Sequence, residues 1–286
     1  IKKWKKNFIV IQNPFVCRIL MPLAFHPLIS IDTKKYAAVQ SETATSFIIN
    51  NKWGTRKSLF SLSEEENRIG SKILNEIGVS DSDWFVCIHN RESGYDKYQS
   101  PDEKVLHDFR NFPCPDFYSA VDYICSMCGV CIRMGDNNMT PVSYPGIIDY
   151  ALNPLRSDFM DLYIASRAKF FLGSTSGARN LSMVFGVPIA AVNITPITSA
   201  TMGHKDLFIP MLIRDKKSNE LVPFKDIFSS PISNYRISED CYNSNFILEK
   251  NTPKDILELV KEIFERIEGC YKEDSEAALL CENFKL

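Results

Sequence analysis

This sequence contains no stretch of the roughly 18 uninterrupted apolar residues that a membrane-spanning helix requires. Its most apolar segment, FIVIQNPFVCRILMPLAF from Phe8 to Phe25, is broken by Gln12, Asn13, Pro14 and Arg18, and no small-residue cleavage site follows. It does not read as a secretory signal. A dominant charge is missing as well. A net charge of −2 gives no global attraction for nucleic acid, so any anion site has to be local. No G-x-G-x-x-G opens a helix pattern, which removes the dinucleotide-binding fingerprint. Internal repeats and low-complexity segments are lacking too.

The cysteines do not pair up either. There are nine, an odd number, in a chain too long to need disulfides, which points to a reducing, cytoplasmic setting. Cys125-x2-Cys128-x2-Cys131 begins like an iron–sulfur ligand run, but the Cys-Pro that completes such a run does not follow. The periodicity instead puts Phe117, Ala120, Val121, Ile124, Cys125 and Cys128 on one stripe of a helix that stops at Gly129, with Cys131 in the next strand. On that reading the cysteines are small core residues.

What is present is a globular chain of 286 residues, 45% hydrophobic and 24% charged, large enough for a substantial core. Its one cationic block, Ile1–Asn7 (IKKWKKN), suits either contact with an anionic bilayer surface or a plain surface segment. Residues 1 to about 60 show no sustained period. The first clear helix runs from Glu64 to Ile77, with a Ser63-x-x-Glu66 capping box and Gly78 as its stop.

From there apolar runs alternate with helical patterns. Strands are expected at Trp84–His89, Val130–Arg133, Ile147–Tyr150, Phe170–Leu172 and Ile189–Val192. Helices are expected from about Asp116 to Cys128, Asp158 to Arg167 and Ser176 to Phe185. Strands this apolar, separated by helices, predict an α/β fold: a parallel sheet covered on both faces. Beyond Asn193 the pattern gives a long loop, a short helix near Pro223–Phe228, and a last strong helix from Thr252 to Glu268, with Pro253 at its first position.

In an open parallel sheet, ligands bind outside the carboxyl ends of the strands. Those ends carry His89-Asn90-Arg91-Glu92 with Asp96 beyond, Arg133 to Asn138, Asp149-Tyr150, Gly173-Ser174-Thr175-Ser176-Gly177, and Asn193. The hydroxyl turn has the makings of a phosphate cradle. Its two glycines allow close approach, the helix after it presents unpaired N–H groups, and Ser174, Thr175 and Ser176 add neutral donors. Arg91 and Arg133 supply the bidentate charge that a diphosphate takes. A hydrolase elbow fails, because its G-x-S-x-G centre is Thr175 here. Plainer readings stand beside these: a tight corner for the turn, a satisfied core histidine for His89, a surface ion pair for Arg91-Glu92, and a loop-bracing salt bridge for Arg133-x-x-Asp136.

HNRESGY (His89 to Tyr95), HDFRN (His107 to Asn111), RMGD (Arg133 to Asp136), DYALNPLRSDFMD (Asp149 to Asp161) and FFLGSTSG (Phe170 to Gly177) together resemble a family of bacterial glycosyltransferases associated with surface-polysaccharide clusters. The segment from Phe159 to Val192 is also similar to the donor half of heptosyltransferase-type GT-B enzymes. His89-x-Arg91 is similar in placement to the arginine motif of fucosyltransferase-like ones. The resemblance implies a Rossmann-like GT-B donor domain that takes a nucleoside-diphosphate sugar, with no bound metal and no further cofactor. It implies that Arg91 and the Ser174–Gly177 turn hold the diphosphate and that Arg133 and Asp136 line the nucleotide or sugar pocket. The domains expected are an N-terminal lobe over 1–80, reduced or truncated, the nucleotide-sugar domain over 81–250, and a C-terminal crossing helix and tail over 251–286.

On this basis the expected reaction is sugar transfer to a glycan or lipid-linked glycan at the inner face of the membrane, with Glu92, then Asp96, then His89 as the base for the acceptor hydroxyl. A non-catalytic nucleotide-sugar or glycan-binding module, and a sugar-nucleotide epimerase, are the alternatives.

Overall fold

In the computed structural model the described residues are 54–92 apart from 56 and 59, 108–200, 203–234, 245–276 and 278–279. The chain divides into two compact units, Ile1–Thr45 and Ser46–Leu286. The first, with the Ile1–Asn7 block, lies outside the described residues. The sheet, its helices and the candidate site all belong to the second.

Six strands form one parallel sheet: β1 (Trp84–His89), β2 (Gly129–Arg133), β3 (Ile147–Ile148), β4 (Phe171–Gly173), β5 (Ile189–Ile194) and β6 (Leu207–Pro210). Their order across the sheet is β3-β2-β1-β4-β5-β6, the doubly wound Rossmann arrangement. The direction of winding reverses between β1 and β4, which pair as Cys87↔Phe171, Ile88↔Leu172 and His89↔Gly173.

Alternate residues of each strand feed two cores. Phe85, Cys87, Phe171, Ile189 and Ala191 face one side, with Leu74 and Ile77 from α1 (Glu64–Glu76) and its end, and Met160, Tyr163 and Ile164 from α3 (Asp158–Arg167). Val86, Ile88, Leu172, Ala190 and Val192 face the other, with Ala120, Val121 and Ile124 of α2 (Tyr118–Ser126). Ile256, Val260 and Ile263 of the last helix, α6 (Pro253–Glu268), join that second core. Both faces are thus covered, which is why the strands read as continuous apolar runs rather than alternating ones. Helix α4 (Gly177–Val184) packs on the first face, between β4 and β5.

Two local expectations change. Cys128 is exposed with a left-handed φ of 62°, because α2 ends at Ser126; it is the turn residue before β2, not part of the buried stripe. Cys131 is buried in β2 and Cys125 half-buried on α2, and among the described residues no three metal-ligating side chains gather. The region beyond Asn193 is not only loop. It adds β6 and an antiparallel pair, β7 (Leu212–Asp215) with β8 (Phe246–Glu249), on either side of the short helix α5 (Phe224–Phe228). Among the described residues no helix is long and apolar enough to cross a membrane.

Asn193 does not present its side chain to a ligand. Its φ is 53°, its side-chain oxygen accepts from the Asn251 N–H at 2.7 Å, and its own N–H donates to the Asn251 side chain at 2.5 Å. Asn251 also donates to the Pro210 carbonyl at 2.9 Å. This reciprocal clasp locks the lead-in to α6 against the ends of β5 and β6. Asn251→Ala orphans the buried Asn193 N–H, so the urea midpoint is expected to fall by an amount worth roughly 1–3 kcal/mol, with an unchanged m-value.

Candidate functional site

A cleft of about 330 Å³ opens outside the carboxyl ends of β1 and β4, at the point where the sheet's winding reverses. It is lined by His89, Arg91 and Glu92 after β1, by Met134, Gly135, Asp136 and Met139 after β2, and by Thr175, Ser176, Gly177, Ala178 and Leu181 after β4. Arg110, Arg156 and Asp161 complete it. The switch point of a doubly wound sheet is where diverging connections leave room for a ligand, so topology alone places a crevice there.

The turn from β4 into α4 explains the glycines flanking the hydroxyls. A Cβ on Gly173 would overlap the carbonyl oxygen of His89 on the neighbouring strand, so only glycine allows β1 and β4 to approach here. Apart from its own chain neighbours and helix backbone, a Cβ on Gly177 would meet no atom of the described residues within 4 Å. That glycine leaves open space for a ligand to come against the backbone. Ser176 is the helix cap, its hydroxyl accepting from the Arg179 N–H at 3.3 Å. The N–H groups of Gly177 and Ala178 have no acceptor among the described residues, as expected for a first helical turn. Both residues line the cleft. Ser174, expected in the cradle, is instead fully buried and does not line it. As the residue directly after β4 it stays inside the sheet layer, and its hydroxyl has no partner among the described residues.

Arg133 is the larger correction. It has no exposed surface, does not line the cleft, and spends its guanidinium on the protein. Nε donates to Asn90 Oδ1 at 3.1 Å, Nη2 to Glu92 Oε1 at 2.8 Å, and Nη1 to Asp149 Oδ1 and the Thr140 carbonyl, both at 3.0 Å. It braces the ends of β1, β2 and β3. Asp136 does line the cleft, and its Oδ1 accepts from the N–H and side chain of Asn138 in the same turn, at 2.7 and 2.9 Å.

The same network changes the order of the candidate bases. Glu92 lines the cleft, but Oε1 also accepts from Asn90 at 2.8 Å and Oε2 from the Thr140 N–H at 2.8 Å. Burial pushes its carboxyl up. The hydrogen bonds from Thr140 and Asn90, with the Arg133 charge, outweigh that and hold it below the usual range. An ionised carboxylate with both oxygens engaged is a poor proton acceptor. His89 is the better one. Its Nδ1 lies 2.9 Å from the Met134 carbonyl, which fixes the proton there, and Nε2 has no partner among the described residues. Burial lowers its pKa, opposed by the Met134 hydrogen bond and aided by the charges of Arg133 and Arg91, so the ring is neutral at pH 7. Asp96 lies outside the described residues.

Sequence reasoning kept Arg91, which lines the cleft while its Nη1 donates to Asn111 Oδ1. It did not single out Arg110, Arg156, Asp161 or the apolar wall of Met134, Met139 and Leu181. Arg110 and Asp161 lie in quoted motifs but sit on a 3₁₀ turn and a helix rather than at a strand end, so the strand-end rule did not find them.

Arg133→Met strands Glu92 and Asp149, and a loss of about 3–5 kcal/mol in urea unfolding is expected. Adding Glu92→Gln and Asp149→Asn is expected to recover part of it. His89 carries the opposite sign from a salt-bridged histidine. Its folded pKa lies below its unfolded value, so its contribution is complete above the unfolded pKa of ~6.5 and is lost as pH falls from there through the lower folded pKa. His89→Gln is expected to flatten the fall of melting temperature between neutral and mildly acidic pH.

No protein-family model and no curated relative matches the sequence. Among solved structures the chain is similar to a glycosyl transferase family 9 protein from Veillonella parvula, with 11% identity and a TM-score of 0.42, over 72% of this chain. It spans about half of that protein, 53% of its length.

Proposed function

We propose that the cleft binds the diphosphate of a nucleoside-diphosphate sugar and that the chain is the donor-binding part of a GT-B glycosyltransferase acting on a surface glycan or lipid-linked glycan. One observation carries this reading: the helix start with unpaired N–H groups shares its cleft with two arginines, Arg91 and Arg110. Helix-start amides and arginines in one cleft suit a group that gains negative charge as it leaves. In the proposed reaction the acceptor hydroxyl forms a bond to the anomeric carbon and the bond from that carbon to the diphosphate breaks. The departing charge is taken up by the Gly177 and Ala178 amides and the two arginines, without a metal. The hydroxyl proton passes to His89 Nε2, with Asp96 as the other candidate. A cytoplasmic setting, where thiols stay reduced, suits the free cysteines at Cys87, Cys114 and Cys131.

Calorimetric titration with UDP-glucose and GDP-mannose is expected to show binding of at least one. Arg91→Ala is expected to weaken it by roughly 10- to 100-fold, the worth of one charge-assisted hydrogen bond; because Arg91 is buried and bonded to Asn111, a melting curve is recorded beside it and the comparison is made below the variant's melting temperature. Failure of the wild type to bind either donor, or inorganic pyrophosphate, sinks the reading. Slow hydrolysis of the bound donor, lost in His89→Gln while binding persists, separates an enzyme from a non-catalytic binding module.

A further inference from the structure

The phosphate reading leaves one side of the cleft without a role. Arg156 and Asp161 line it with side chains 30% and 18% exposed, joined by a single contact of 3.2 Å from Nη2 to Oδ2. The backbone beneath them is firmly set. Asn153 closes a turn by accepting from the Leu155 N–H at 2.9 Å and the Arg156 N–H at 3.0 Å. The buried Tyr150 hydroxyl accepts from the Ser157 N–H at 3.1 Å, and Ser157 caps α3. Arg156 therefore leaves the chain just before the cap, and Asp161 leaves it one turn into the helix.

An arginine and a carboxylate that only brace a fold commonly meet side-on through two parallel hydrogen bonds. Here the second contact is not made: Arg156 Nε is buried and has no hydrogen-bond partner among the described residues, and the Asp161 carboxylate interacts with the Tyr150 hydroxyl as well as with Arg156. Such a pair has no net charge to attract a phosphate, and its carboxylate opposes one. It keeps a strong donor and a strong acceptor side by side, and the group that matches both at once is a hydroxyl, which donates and accepts. Met134, Met139 and Leu181 give the same cleft an apolar wall against which the carbon face of a ring can lie.

We propose that Arg156 and Asp161 form a hydroxyl-reading subsite, taking the ring hydroxyls of the ligand whose phosphates lie at the α4 end of the cleft. This rests on the donor-site reading above, and makes the pair a determinant of which ring is accepted. The ring is either the ribose of the nucleotide or the transferred sugar. Both present the same chemistry, and the probes tell them apart.

The test is calorimetry of wild type, Asp161→Asn and Arg156→Lys with inorganic pyrophosphate, and with UDP, 2′-deoxy-UDP, UDP-glucose and their guanosine counterparts. Asp161→Asn keeps the shape and removes the charge, whereas Arg156→Lys keeps the charge and removes the planar edge. Both are expected to hold pyrophosphate within about twofold of wild type and to weaken a ring-bearing ligand by about tenfold or more. Weakening of UDP, with loss of the wild-type preference for UDP over 2′-deoxy-UDP, assigns the subsite to ribose. Weakening of UDP-glucose alone assigns it to the sugar. Equal weakening of pyrophosphate and every ring-bearing ligand overturns the proposal, because the pair then acts only through the fold or the local field. No weakening of any ligand in either variant also overturns it. A wild type that binds no pyrophosphate and no nucleotide fails the donor-site reading itself. Melting curves accompany each variant, and the pyrophosphate arm reports whether an altered protein still holds its cleft.

Discussion

A full positive charge with no exposed surface has to be answered inside the protein, and the way Arg133 is answered organises this end of the sheet. Its guanidinium draws Asn90 and Glu92 from the end of β1, Asp149 from the end of β3 and the Thr140 carbonyl from the intervening loop to one centre. The carboxylates then bind the loop themselves, Glu92 through the Thr140 N–H and Asp149 through the Val142 N–H at 2.9 Å. Burial makes every one of these bonds worth more than it would be in water, and makes any unmade one costly. Three strand ends and a loop are thereby fixed as one wall of the cleft.

That wall decides which groups are left to act on a ligand. Glu92 is held ionised and engaged, so it shapes the cleft instead of moving a proton. Arg91, next to it in sequence, lines the cleft with Arg110, while His89 keeps a neutral ring with one nitrogen committed to Met134. Across the cleft the start of α4 supplies amides, because Ser176 caps only the Arg179 N–H. The anion-favouring groups therefore lie between β1 and β4, and the charge-neutral Arg156–Asp161 pair lies with α3.

Much of this was legible in the residues. The apolar runs at Trp84, Phe170 and Ile189 could only be strands buried on both sides, and the capped helices at Glu64 and Pro253 announced both their ends. The GSTSG turn was readable as a helix start, and a Cβ added at Gly177 would meet no described atom within 4 Å. Short edge elements were not legible. β6 is four half-buried residues closed by Pro210, and β7 and β8 pair residues more than thirty positions apart, so neither leaves a local period.

The sequence by itself determined the α/β class, the strand that ends at His89 just before Arg91, and the helix start after β4. These follow from periodicity, capping and the rule that strand ends form the rim. Only the tertiary structure decided which polar residues at that rim line the cleft. Arg133 and Arg91 look alike as arginines near strand ends, yet one lies beneath three strand ends with every contact made to protein and the other lines the cleft. The partners that bury Arg133 come from segments far apart in the chain, Asn90 and Glu92 from one and Thr140 and Asp149 from another. No local pattern encodes where such segments converge.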